Sequence, residues 1–312
     1  MAKVIRPTTH EEWLELRGMG IGSSEVGTLL GLNPWDTPLQ LWRRKKGIDP
    51  PVQENNAMLM GHLLEDAVAQ RWQIETGLQV IKASAGDYIV IDDEKPYLRV
   101  SPDRTYWLAD AVHNNQNKGI VECKTTVMGI DEDNIPLHWF SQLQYQLGVC
   151  GYSEGWLAWL VQGRDFGCKH IKFDKDYYDW MVEEITKFVH DNLIGGEEPL
   201  PMTTEDVLKK NPRAVEGKTL LATSDLIEAC TKLKAIKAAV KEQEAEAKGL
   251  EQQIKLALGD AEMLLDGDTT LATWKNNKDG RKFDEKTFAK EYPELHEKYM
   301  QATVGARILR LK

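Results

Sequence analysis

With 312 residues, 42% of them hydrophobic and 28% charged, the chain can bury a sizeable core and fits one medium domain with an appendage. The polar start MAKVIRPTTHEEW, the lack of a long apolar run and four scattered cysteines without a CxxC pair speak against export, membrane insertion, a disulfide framework and a structural zinc site; a reducing cytoplasm fits. Residues 1–200 hold 19 Lys and Arg against 30 Asp and Glu, and residues 201–312 hold 20 against 19, so the net charge of −10 excludes loose coating of nucleic acid but not chemistry in which carboxylates and divalent cations cancel.

Thr8 or Thr9 caps a short predicted helix over 10–16, and Gly18, Gly20 and Gly22 mark a turn. Ser23 or Ser24 caps a second helix to about Leu30, and Thr37–Pro38 opens a third that ends at Gly47. Met60, Leu64, Ala67, Val68 and Trp72 place an apolar arc on a helix over 58–76, closed by Gly77. Strand patterns follow at 78–83, 87–91, 97–100, 104–108 and 119–124, as one mixed or antiparallel sheet. Pro136–Cys150 reads as a helix, 155–161 and 167–173 as strands, and Asp174 caps an amphipathic helix to about Ile194.

This order predicts an α/β (α+β) domain over 1–195, a central mixed β-sheet flanked by helices. Residues 196–219, rich in Gly, Pro and charge, read as a linker. The remainder, 220–312, is a C-terminal helical extension: one long helix over 224–258, then strand-like pieces at 270–274 and 303–311 around a polar helix. Leu226, Cys230, Leu233 and Val240 give the long helix a heptad-like but interrupted stripe, which suits a packing helix better than a specific coiled coil.

One constellation carries chemistry. Ser101-Pro-Asp103 is followed by Ile120-Val-Glu122-Cys-Lys124. Alternate residues of a strand share a face, so Glu122 and Lys124 point one way and Val121 and Cys123 the other. Two charges on one face of an apolar strand need solvent or a partner, such as a metal ion and a polyanion. Carboxylates holding Mg²⁺, with Mn²⁺ as a substitute, can activate water and stabilise a leaving oxygen in phosphodiester hydrolysis. Asp103 and Glu122 would hold the ion with the Cys123 backbone carbonyl, and Lys124 would orient water or neutralise charge on phosphorus. The bland alternative is a surface ion pair beside a turn aspartate.

These residues and their spacing resemble the PD-(D/E)xK nucleases. Trp13-x-x-x-Arg17, Gly20-Ile-Gly-Ser-Ser24-Glu25, Met60-Gly-x-x-x-Glu65, Ser101-Pro-Asp103, Glu122-Cys-Lys124 and Gln142-Leu-Gln-Tyr145 together resemble the lambda-type phage exonucleases, the YqaJ-like viral recombinase family. The likeness spans about residues 10–195. It implies a restriction-endonuclease-like core and 5′→3′ digestion of double-stranded DNA ends. It also implies a ring-like homo-oligomer and a 3′ single strand left for a recombinase or annealing protein. Carried over, Glu65 would be a further metal ligand, Gln142 would reach the active site, and Arg17 and Ser24 would take the 5′ phosphate. Trp139 and Tyr145 are DNA-contact candidates, with an interior position the alternative for Trp139. Arg104 stands where many members have glycine and would contact phosphate or cap the turn. A structure-specific endonuclease and an inactive DNA- or protein-binding module are the rival readings.

Outside the constellation, Trp42-Arg-Arg-Lys-Lys46 could guide DNA, but cations completing a helix C-terminus explain it as well.

Overall fold

The computed structural model describes residues 2–81, 88–108, 117–301 and 305–311, and the chain divides into units of residues 1–210 and 211–312. In the first unit β1 (Ala2–Ile5) precedes four helices: α1 (His10–Gly18), α2 (Ser23–Leu29), α3 (Pro38–Lys45) and α4 (Asn56–Thr76). Each starts where a side chain closes free backbone amides. Thr9, Thr37 and Asn55 cap α1, α3 and α4, and Gly77 ends α4 in the left-handed region that favours glycine. The cap of α2 is Gly22, whose amide donates to the Glu25 carboxylate at 2.8 Å, so neither Ser23 nor Ser24 is spent as the cap.

The strands form two sheets rather than one. β2 (Ile89–Asp92) lies between β1 and β3 (Arg99–Val100) in an antiparallel sheet. The second sheet has the order β4 (Arg104–Trp107), β5 (Lys118–Thr126), β6 (Glu154–Val161), β7 (Asp165–Lys172). Only β5 and β6 run parallel, and α5 (Leu137–Cys150) supplies the crossover that a parallel pair requires. The mixed α/β architecture is therefore present, with its central sheet flanked by helices. The expected strand at 78–83 contributes a single bridge, Val80 to Tyr106; residues 82 and 83 lie outside the described residues.

α5 covers one face of the central sheet, where Ile120 packs with Leu143, Leu147, Leu157 and Trp159. α4 covers the other, where Val68 and Trp72 meet Tyr106, Val121 and Ala158. Only the C-terminal half of α4 is buried; Met60 remains exposed, so the apolar arc read over 58–76 is core only from Val68 onward. α2 crosses α5 closely enough that a Cβ on Gly27 would lie 2.7 Å from Cβ of His138. α6 (Lys175–Lys187) continues as π-helical turns over Phe188–Ile194 and packs with α2 and α3 in a second core.

Part of the expected linker is ordered helix. α7 (Thr204–Lys210) belongs to the first unit, because Asp206 is fully buried and accepts from Thr37 Oγ1 and Gln40 Nε2 at 3.0 and 2.9 Å. The second unit holds α8 (Ser224–Leu258), a hairpin of β8 (Met263–Asp266) and β9 (Thr269–Thr273), and the short helices α9 (Glu285–Glu291) and α10 (Pro293–Tyr299). Residues 305–311 form no strand, unlike the expectation for 303–311; residues 303 and 304 lie outside the described residues.

Candidate active site

The pairing of β4 with β5 brings the two halves of the charged constellation together. Arg104 faces Val121, so Asp103, one residue ahead of β4, lies beside the continuing β5 strand. There its Oδ2 accepts from the Cys123 amide at 2.8 Å. An extended residue projects its N–H and C=O from the same edge, so the Cys123 carbonyl leaves on the Asp103 side.

Glu122 and Lys124 share the face covered by α5. The Glu122 side chain is 1% exposed: Lys124 Nζ and Gln142 Nε2 donate to Oε1, and Gln146 Nε2 donates to Oε2 at 2.9 Å. The Lys124–Glu122 distance is 2.7 Å, and Lys124 also donates to Gln142 Oε1 at 2.9 Å. Gln142 and Gln146 are one helical turn apart, so both amides face β5. Gln146 is fully buried and its Nε2 also donates to Ser23 Oγ at 3.2 Å. Sequence reasoning missed Gln146. The available signal was its i+4 spacing from Gln142.

Glu65 reaches the cluster from α4, where its Oε1 accepts from Arg104 Nη1 at 2.5 Å. Arg104 also pairs with Asp66 and donates to the Asp103 carbonyl at 2.5 Å. Its guanidinium thus engages carboxylates and main chain, the arrangement of the turn-capping alternative. Burial pushes the Asp103 carboxyl well above the usual range, and Glu122 and Glu65 push it further against Lys124 and the Cys123 amide. Burial also raises Glu65, opposed chiefly by Arg104. For Lys124, burial pulls downward, but Glu122 and Asp103 outweigh it and the ammonium is held above its ordinary value.

Three carboxylates thus crowd one another in a region of low solvation, an arrangement a bound cation relieves. Among the described residues no group of three or more His, Cys, Asp or Glu side chains is arranged to hold a metal ion as the side chains stand. The oxygen donors Asp103, Glu122, Glu65 and the Cys123 carbonyl nevertheless suit a hard divalent ion, which accepts carboxylate and carbonyl ligands and keeps waters.

Arg17 and Ser24 also come together, with Arg17 Nη2 donating to Ser24 Oγ at 2.6 Å. The Arg17 guanidinium lies over the Trp13 ring, 4.9 Å from its centroid, and lines a cleft with Ser23, Arg99 and Ser101. Arg99 was not anticipated. Gln146 links this cleft to the carboxylate cluster through Ser23.

Trp139 and Tyr145 are not surface groups. Trp139 is 8% exposed within the core of Ile120, Leu143 and Leu157. Tyr145 is fully buried; its hydroxyl donates to Ile21 O at 2.9 Å and accepts from the Arg99 amide at 3.1 Å. Their proposed DNA contacts are therefore withdrawn. The reason is that α5 is sandwiched between the sheet and α2, which leaves little solvent face for its polar stripe. The cations of the 42–46 run are occupied as well: Arg43 pairs with Asp49, Arg44 with Asp36 and Lys45 with Glu25, and Lys46 Nζ donates to Leu193 O.

Residues 12–153 match the model of the YqaJ-like viral recombinase domain. The chain is 32% identical over 307 residues to the protein YqaJ of Bacillus subtilis (strain 168), covering 95% of this chain and 92% of that protein. Among solved structures it is similar to the alkaline exonuclease LHK-Exo from Laribacter hongkongensis, at 16% identity over 59% of this chain and 93% of that one, with a TM-score of 0.46. A phage-related exonuclease from Haemophilus somnus 129PT is similar at 11% identity over 58% of this chain and 98% of that one, with a TM-score of 0.41.

Proposed function

Because the chain belongs to the YqaJ-like viral recombinase family, we propose that it is a metal-dependent nuclease that degrades double-stranded DNA from its ends. The observation that carries this reading is the buried Glu122 carboxylate, held by Lys124, Gln142 and Gln146 beside Asp103. A carboxylate this enclosed is not a surface ion pair, and its neighbours define where charge is wanted.

Asp103 and Glu122 would hold Mg²⁺, with Glu65 and the Cys123 carbonyl as further donors. When bound, the ion supplies a polarised phosphoryl oxygen and an acidified water. The chain's own side chains do the rest. Gln142 holds Lys124 against Glu122, which fixes one ammonium at the edge of the cluster, where it orients water and offsets charge on phosphorus. Arg104 braces Glu65 from the far side.

Arg17 and Ser24 favour an end-dependent enzyme over an endonuclease. The Arg17 guanidinium and the Ser24 hydroxyl, 2.6 Å apart beside a cleft that Arg17 lines with Ser23 and Ser101, suit a terminal phosphate. Digestion running 5′→3′ follows if that phosphate is the 5′ one. A time course on linear duplex labelled separately at its 5′ and 3′ ends, with Mg²⁺ or Mn²⁺ and with chelator, tests metal need and direction together. Early release of the 5′ label only with metal is expected. Early release of the 3′ label would overturn the direction, and cutting of covalently closed circles would favour the endonuclease.

A further inference from the structure

The second unit has almost no interior of its own. Among its described residues Leu258 is the one buried apolar side chain, and along α8 every residue except Leu233 and Leu258 is open to solvent. A helix of 35 residues spans about 52 Å, and in proteins such a helix gains most of its stability by packing an apolar face.

The exposed face has a regular period. Leu226, Leu233, Val240, Ala247 and Ile254 recur at every seventh position. Three residues after each come Ala229, Ile236, Gln243, Leu250 and Ala257. These two rows are the a and d positions of five consecutive heptads, broken only by Gln243. Their large exposed members, from Leu226 to Ile254, are 40–55% accessible.

The flanking charges select the occupant and its direction. In a parallel pair of α8 helices, Lys232 would face Lys237 and Glu246 would face Glu251, two like-charge contacts repeated by symmetry. In an antiparallel pair with Val240 opposite Gln243, Lys237 instead faces Glu244, Lys232 faces Gln253, and Glu246 faces Ala239. No like charges meet. The seam also matches by size in that register: Leu233 faces Leu250, Ile236 faces Ala247, and Ala229 faces Ile254. The two Gln243 amides come within reach of each other about the two-fold axis, where each can satisfy the other and fix the register.

We propose that α8 pairs with α8 of a second copy of this chain as an antiparallel coiled coil, Val240 of one chain opposite Gln243 of the other. The contact is isologous and joins chains in pairs, whatever further contacts the first unit makes. It does not depend on the nuclease reading.

The test uses the full-length chain with the exposed Cys230 replaced by serine. Light scattering should give an even multiple of the chain mass, and Ile236→Asp with Ile254→Asp should halve it while the folded signal of the first unit is retained. On oxidation, the double variant Leu233→Cys/Leu250→Cys should cross-link into dimers, whereas Leu233→Cys alone should not. Cross-linking by Leu233→Cys alone would mean parallel helices and overturn the proposal. A monomeric parent chain would overturn it too, leaving the face to a different partner. So would a dimer indifferent to the two aspartates.

Discussion

Glu122 takes three protein donors in a nearly closed position, and this sets what its neighbours are worth. Removing one donor from a buried carboxylate leaves a charge without compensation, which costs about 1–3 kcal/mol or more. Gln146→Leu is therefore expected to lower stability by about that amount, because Glu122 Oε2 and Ser23 Oγ both lose their donor. It should also lower kcat more than it raises KM, since Gln146 positions Glu122 and does not face solvent. Thermal melts and initial rates check both. Tyr145→Phe tests the withdrawn DNA contact. It removes two hydrogen bonds to main chain, with about 1–2 kcal/mol of stability, and KM for DNA should stay unchanged. A KM raised tenfold without a change in stability would restore Tyr145 to the DNA surface.

At the scale of elements, the site depends on one helix packed on two sides. α5 meets the sheet through Leu143 and Leu147 and meets α2 through the close contact of Gly27 with His138. A side chain at Gly27 pushes those helices apart, so Gly27→Val should shift Ser23 away from Gln146 and lower activity along with stability. α7 is held by a different device. Burial pushes the Asp206 carboxyl up, but hydrogen bonds from Gln40, the Met202 amide, Thr37 and the Thr203 amide outweigh it and leave its pKa depressed. A depressed folded pKa means stabilisation present above the unfolded carboxylate value and lost as pH falls through the lower folded value. The melting-temperature gap between wild type and Asp206→Asn should be widest near neutral pH and close below about pH 3.9, the ordinary aspartate range. A gap independent of pH would contradict the ionised assignment.

These elements also show how far sequence patterning reaches. Glu122 and Lys124 were legible because strand alternation fixes a shared face, and the antiparallel register of β4 with β5 sets Asp103 beside them. The Arg17–Ser24 pair and Gln142 came through resemblance, and side-chain contacts now join Arg17 to Ser24 and Gln142 to Glu122 and Lys124. Gln146 and the burial of Tyr145 were illegible for one reason. Helical periodicity separates polar from apolar faces, but it does not reveal that a second helix covers the polar one. α7 was hidden because its Gly- and Pro-rich approach reads as linker, whereas its anchor is a contact between Asp206 and Thr37, far apart in the chain.

For the whole molecule, an acidic first unit must still approach a polyanion. Its basic run at 42–46 is taken up by ion pairs and main-chain contacts, so on the proposed reading phosphate is drawn by the carboxylate cluster once a cation is bound and by Arg17. DNA binding should accordingly be weak without a divalent ion and strengthen when one is added, a dependence opposite to that of a basic coat protein. The central claim is that Asp103, Glu122 and Lys124 hydrolyse DNA from an end. The most direct measurement follows linear and covalently closed duplex with Mg²⁺, in wild type and Lys124→Ala. Wild type should degrade the linear form and leave the circle, with the variant slower by on the order of 10³-fold. Equal inactivity of both proteins on linear DNA, or equal rates in the two, would contradict it.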